Sequence, residues 1–223
     1  MRNLLMIILG FCSITSVAQK KTEESNEVIL NYNLQFVDNL FTEIDVDKFW
    51  KIIDYSRNNT KTKDEQIKLL INILSRQELT DISKFSAIFS FLDNKIYTSE
   101  MWAIPYFIND GCSDDSFAYF RAWLISEGKK KYTIISGGND QISNQYSKKE
   151  EIFGSLEEFI DLGSIAIELK FPDNYDKLDE FEEMTDKYYS DTFKFKIPKI
   201  EFDWDNQDDI ERLYPIFAKQ FKE

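Results

Sequence analysis

A chain of 223 residues with 27 Lys+Arg against 40 Asp+Glu, a formal net charge of −13, lacks the basic footprint that nucleic acid binding requires and is not drawn to anionic lipid. Its 43% hydrophobic and 15% aromatic residues describe a globular chain with a sizeable core rather than a disordered one. It contains no histidine, which excludes Ser-His-Asp and Cys-His catalysis, His-bearing zinc sites and His-ligated haem, and neither common glycine-rich phosphate loop occurs in it.

The first segment reads as a targeting signal. Arg2 precedes the short apolar run Leu4 to Cys12, and Ser16-Val17-Ala18 offers small residues for cleavage before Gln19. Residues 1–18 are therefore expected to be a signal peptide, with the mature chain exported to the periplasm or the extracellular space. The run is too short to span a bilayer, and no later stretch reaches the roughly 20 apolar residues a membrane helix needs. Phe11 before Cys12 argues against a lipid anchor. Cleavage leaves Cys112 as the lone cysteine, expected as a small buried residue filling a helix corner, with a reactive thiol or an intermolecular bridge as the alternative.

Residues 19–44 read as a linker plus an extra helix over 27–41, although the alternation Val28, Leu30, Tyr32, Leu34, Phe36 also fits a strand. Beyond it the pattern is helical. Asp45 or Asp47 caps a helix carrying Phe49, Trp50 and Ile53. A second helix carries Ile67, Leu70 and Leu74, and a third, capped near Thr80, carries Ile82, Phe85, Ile88, Phe89, Leu92 and Ile96.

Ser99 to Gly128 is predicted as two apolar helices meeting at a tight corner. Ser99 caps the first, Pro105 interrupts its backbone bonding, and Gly111 supplies the left-handed stop. Ser113 caps the second, with Asp114 and Asp115 in its first turn at the positive end of the helix dipole. Lys129 to Ile135 is a short helix ended by Gly137-Gly138. A polar loop follows, then a capping box at Ser155 and Glu158 opens one helix through Leu169, closed by Pro172. Leu178, Phe181 and Met184 mark a further helix. Thr192 to Trp204 alternates as an extended aromatic strap, and Asp205 or Asn206 starts the last helix, with Ile210, Leu213, Phe217 and Phe221. The fold class is all-α: a single compact domain of about eight helices over 45–223.

The run W-A-x-x-Y-x-I-N-x-G-C-S-D-D-x-F-x-Y-F-R-A-W-L-I-x-x-G, from Trp102 to Gly128, resembles the signature of a bacterial family known as domain of unknown function 4240. Phe49-Trp50 and Ile53, Gln66, Leu70 and Leu74, and the C-terminal Phe202-Asp203-Trp204-Asp205 with Asp208-Asp209, Leu213 and Pro215 extend the likeness over roughly Asp45 to Glu223. Pro105 departs from it, where the family has a helix former. The resemblance implies a small helical domain and assigns no activity.

The remaining chemistry is that of carboxylates, Arg, Lys, Tyr and Ser. Asp114, Asp115 and Arg121 form the best cluster. Asp114 and Arg121 share a helix face about 10 Å apart along the axis, too far for a close pair, so Arg121 is expected to meet an acid of another helix. Two readings follow. In the leading one the protein is a non-catalytic binding or interaction protein, with Trp102, Tyr106, Cys112 and Trp123 as binding candidates and a basic protein or small ligand as partner. In the alternative it is a carboxylate-based enzyme, with or without a divalent metal, centred on Asp114, Asp115 and Arg121. No resident cofactor or metal is expected. Asp203, Asp205, Gln207 and Asp209 alternate like a calcium loop but lack its glycine and closing glutamate.

Overall fold

Asp45, Thr62, Thr98 and Ser113 start four of the helices by the same device: an extended residue whose side-chain oxygen accepts a backbone N–H of the first turn. The donors are Lys48, Glu65, Met101 and Ser116, at 2.8, 3.2, 3.3 and 3.2 Å. The computed structural model describes residues 34–136, 156–200, 211–212 and 214–221. The helices among them are α1 (Leu34–Phe41), α2 (Val46–Asn58), α3 (Lys63–Ser75), α4 (Leu79–Lys95), α5 (Ser99–Ile108), α6 (Asp114–Ser126), α7 (Lys129–Ile135), α8 (Glu157–Ile160), α9 (Leu162–Lys170), α10 (Tyr175–Phe193) and α11 (Pro215–Phe221). No strand occurs among the described residues, so the fold is all-α. The segment expected as a signal peptide, Ser155, and the stretch holding Phe202, Trp204 and the acidic alternation lie outside those residues.

Several boundaries differ from the sequence expectation. Helix α5 is capped by Thr98 rather than Ser99, and α4 begins after Glu78, which makes no side-chain cap, so Thr80 lies inside its first turn. At the corner it is Asp110 that takes the left-handed conformation, at φ 55°. Gly111 follows at φ 129°, and its N–H closes back on the Tyr106 carbonyl at 2.8 Å. This is the longer of the two bonds of a Schellman ending, which an Asp tolerates at the left-handed position. The single helix expected from Ser155 to Leu169 is two, broken at Asp161. Its N–H ends α8 on Glu157 and its carbonyl starts α9 by accepting from Ile165. Helix α10 runs on to Phe193, so the strap begins at Lys194, not Thr192, and is described as far as Ile200. The last expected helix is interrupted at Tyr214, after which Pro215 starts α11, a position where a missing N–H costs nothing. These divisions make the helices more numerous than the eight or so expected.

One hydrophobic cluster runs from Val37 on α1 to Tyr214 before α11, with Phe49, Phe85, Phe117, Phe120 and Phe159 fully enclosed. Helix α1 joins it through Val37, Leu40 and Phe41, which settles the helix reading for the described part of 27–41. Helix α4 is the shared wall: it meets α2, α6, α9 and α10. Helix α7 is tied to it by the Tyr132 hydroxyl, which donates to the Leu92 carbonyl at 2.8 Å. Helix α10 lies along its far side, with Phe193 stacked on Phe91 at 4.1 Å between ring centres. A smaller cluster of Ile82, Ile167 and Phe181 joins α4, α9 and α10.

A polar knot joins the ends of α2, α3 and α6. The Gln66 amide, 1% exposed, donates to the Ser126 carbonyl at 2.9 Å and to the Ser56 hydroxyl at 3.2 Å. Lys63 donates to the Ser126 hydroxyl at 2.8 Å and pairs with Glu127 at 2.6 Å, and Lys131 reaches the other Glu127 oxygen at 3.0 Å. Burial works to raise the Glu127 carboxyl, but the hydrogen bonds and charges of Lys63 and Lys131 outweigh it and hold the group below its ordinary value. Gly128 lets the chain turn directly over this knot at φ 90°, and a Cβ there would sit 2.1 Å from Oδ1 of Asp54. Gly128→Ala is therefore expected to lower stability by at least about 1–2 kcal/mol, from the left-handed backbone penalty alone and before Asp54 is displaced. Urea unfolding of the two proteins measures it.

Candidate functional site

Arg121 stands on the inward face of α6, and Asp93 stands in the last turn of α4. Two short hydrogen bonds join them: Nε to Oδ1 and Nη2 to Oδ2, both 2.9 Å. This is the bidentate fork that a guanidinium and a carboxylate form when their planes align. The rings of Phe117 and Tyr97 close over the guanidinium, its central carbon lying 4.5 and 4.9 Å from their centres. Arg121 is 8% exposed. Asp93 is badly placed on its own: it is half-buried, and it lies near the negative end of its helix. Burial pushes its carboxyl above the ordinary value, and Arg121 pulls the other way without cancelling the shift. The Tyr132 phenol, buried with the Asp93 charge near it, is pushed up as well.

The aromatic residues continue from this pair as a ladder along α5 and α6. Trp102 stacks on Phe117 at 4.6 Å, Phe117 on Phe120 at 6.5 Å, and Phe120 on Trp123 at 5.9 Å. The ammonium of Lys131 sits 4.3 Å from the centre of the Trp123 ring. The Trp102 indole N–H donates to the Cys112 carbonyl at 3.1 Å, pinning the corner to α5. Tyr106 is half-buried, edge-on to Phe107 at 5.7 Å. Cys112 is half-buried, and its thiol is pushed up to about 12, by burial first and by Asp114 second, against the opposing pull of Trp102 and Arg121.

The three residues singled out as an acid–base cluster are not joined. Arg121 is committed to Asp93, as the spacing along α6 anticipated. Asp114 and Asp115 are exposed at the start of α6, and neither makes an ion pair among the described residues. Partial burial and the carboxylates of Glu157, Asp115 and Asp161 raise the phenol of Tyr119, so Asp115 has acids for neighbours. No group of three or more Asp, Glu or Cys among the described residues is gathered tightly enough to hold a metal. No helix among the described residues is long and apolar enough to cross a membrane.

A cavity of about 160 Å³ opens elsewhere, between α4, α8, α9 and α10, and none of the three lines it. Two features of the site escaped sequence reasoning. Asp93 carries no motif, and its only signal is an acid in the last turn of its helix, where the helix dipole disfavours one. The cavity is assembled from Ser and Phe positions that read singly as ordinary helix faces.

Removing one partner of the Asp93–Arg121 pair leaves a buried charge without its counterion. Arg121→Met is expected to cost about 3–5 kcal/mol, and Asp93→Leu in the same protein to restore part of that loss. Additive costs in urea unfolding would show the two side chains to be independent. A second expectation concerns Cys112: with so little thiolate, alkylation by iodoacetamide at pH 8 should run roughly two to three orders of magnitude slower in the folded protein than in urea.

A sequence-family model described as a protein of unknown function, DUF4240, matches residues 44–168. That segment starts at the capping turn of α2 and ends within α9, so it contains Asp93, Arg121, the aromatic ladder and the polar knot. Helix α10 and the C-terminal aromatic segment follow it. No curated protein and no solved structure matches the chain.

Proposed function

The chain belongs to the DUF4240 family of proteins of unknown function, and from the geometry around its matched segment we propose that it is a non-catalytic binding protein whose partner presents a basic surface. The observation that carries the reading is the contrast between interior and exterior charge. Inside, Arg121 and Asp93 are committed to each other, and burial pushes the half-buried Cys112 thiol up to about 12. Outside, α10 presents Asp176, Asp179, Glu183 and Asp186, all exposed, at spacings of three and four residues along one side of the helix. That side lies opposite Phe181, the residue α10 buries.

None of those four acids makes an ion pair among the described residues; the two lysines of the helix pair with Glu180 and Asp191 instead. Like charges three and four residues apart destabilise a helix by roughly 0.2–0.5 kcal/mol per pair. A packed helix that keeps such a row offers a cationic partner relief of that repulsion as well as direct attraction. The reading retains the exported location expected from the first 18 residues, which rests on sequence alone.

The test separates the row from net charge. A lysine-rich peptide is titrated at low salt against the unmodified chain. It is also titrated against a variant with Asp176, Asp179 and Asp186 changed to Asn and Glu183 to Gln. A control variant loses equal charge at Glu100, Asp110, Asp114 and Asp115. The row variant is expected to weaken binding about tenfold and the control by less than about threefold. Equal weakening by the two would sink the assignment of the partner surface to α10.

A further inference from the structure

We propose that the cavity between α4, α8, α9 and α10 is a binding site for a small, neutral, single-ring molecule that carries a hydroxyl or comparable polar group. Its size sets the upper limit. At about 160 Å³ it is close to the roughly 150 Å³ apolar cavity known to take up benzene, and well below the roughly 300 Å³ at which drug-sized pockets begin. A nucleotide or a peptide does not fit.

The wall chemistry sets the class. Phe89, Phe159 and Phe181 supply ring surface from three different helices, with Phe89 and Phe159 tilted against one another at 6.0 Å between centres. None of the lining residues is charged. An ionised ligand would thus lose its hydration without gaining a counterion, a cost a neutral one does not meet. The polar part of the wall is three serine hydroxyls. Ser86 and Ser90 lie one turn apart on α4, and Ser164 faces from α9. All three are half-buried, and none hydrogen-bonds to protein among the described residues. A fourth hydroxyl, on Thr185 of α10, donates to the Phe181 carbonyl at 2.8 Å and keeps its oxygen lone pairs to accept a donor.

Gly163 shapes the site. A Cβ there would lie 2.2 Å from the Ser86 hydroxyl and 2.7 Å from the Phe181 ring, so the missing side chain is what lets α9 close against α4 and α10. At the rim, Ile160 is 37% exposed and offers an apolar approach from solvent. The acidic row of α10 lies on the side of that helix away from Phe181, so this site stands apart from the proposed partner surface and neither depends on the other.

Phenol is the probe. Titrated into the full chain and followed by amide chemical shifts, it is expected to give saturable changes at Gly163, Ser164 and Thr185 with a dissociation constant of about 1 mM or below. Benzoate, of similar size but charged, should bind at least about tenfold more weakly. Ser90→Phe fills the cavity and should abolish the changes while the rest of the spectrum stays folded. Should that variant fail to fold, Ser86→Ala with Ser90→Ala decides: phenol should weaken at least about threefold while toluene is unaffected. The inference is overturned by any one of four results: no saturation, changes centred on other residues, phenol binding undiminished in folded Ser90→Phe, or equal effects of the double alanine change on phenol and toluene.

Discussion

The Asp93–Arg121 fork is the interaction on which the arrangement of α4 and α6 depends. A carboxylate in the last turn of a buried helix is opposed both by the low dielectric and by the helix dipole, and only a well-aligned guanidinium makes it tolerable. The pairing therefore acts less as a source of net stability than as a condition on geometry. Helices α4 and α6 must meet at the one register where both nitrogens reach both oxygens. Phe117 and Tyr97 then have a fixed guanidinium to pack on, and the ladder from Trp102 to Trp123 follows from Phe117.

Polar side chains where α2, α3 and α6 meet follow the same rule, whereas the buried Oδ1 of Asn72 on α3 accepts no hydrogen bond among the described residues. Gln66, Ser56 and Ser126 are buried and Lys63 is half-buried, and each finds a partner across a helix boundary. The exterior behaves differently. The matched family segment carries the fork, the ladder and the knot, whereas the acidic helix α10 follows it and packs along the outer side of α4. The proposed binding role rests on this contrast between the ion pair inside and the unneutralised row outside.

How much of this could be read in advance depended on the range of the interaction. The caps at Asp45 and Ser113 involve donors only three residues away, and they stand where the local pattern put them. At the start of α5 the sequence pointed to Ser99, but Thr98 beside it is an equally competent cap and is the one used. The αL position of the corner fell to Asp110 because a short acidic side chain tolerates it, even with a glycine next door. The break at Asp161 has no local warning, since Leu156, Phe159, Ile160, Ile165 and Ala166 fit a single amphipathic helix. Gly163 brings α9 against Ser86 and Phe181, partners remote in the chain.

Periodicity and capping, acting over three or four residues, were enough to determine from sequence alone that this is an all-α protein, where most of its helices lie, and that its corner joins two apolar helices. The absence of histidine likewise removed whole classes of chemistry without any coordinates. Spacing along α6 already sent Arg121 to an acid of another helix; tertiary structure alone decided that this acid is Asp93. It alone gathered Ser86, Ser90, Ser164 and Thr185 around one cavity. The physical reason is common to both: a side chain's partner across a helix interface is set by how whole helices pack, and no window of sequence shorter than the fold contains that information.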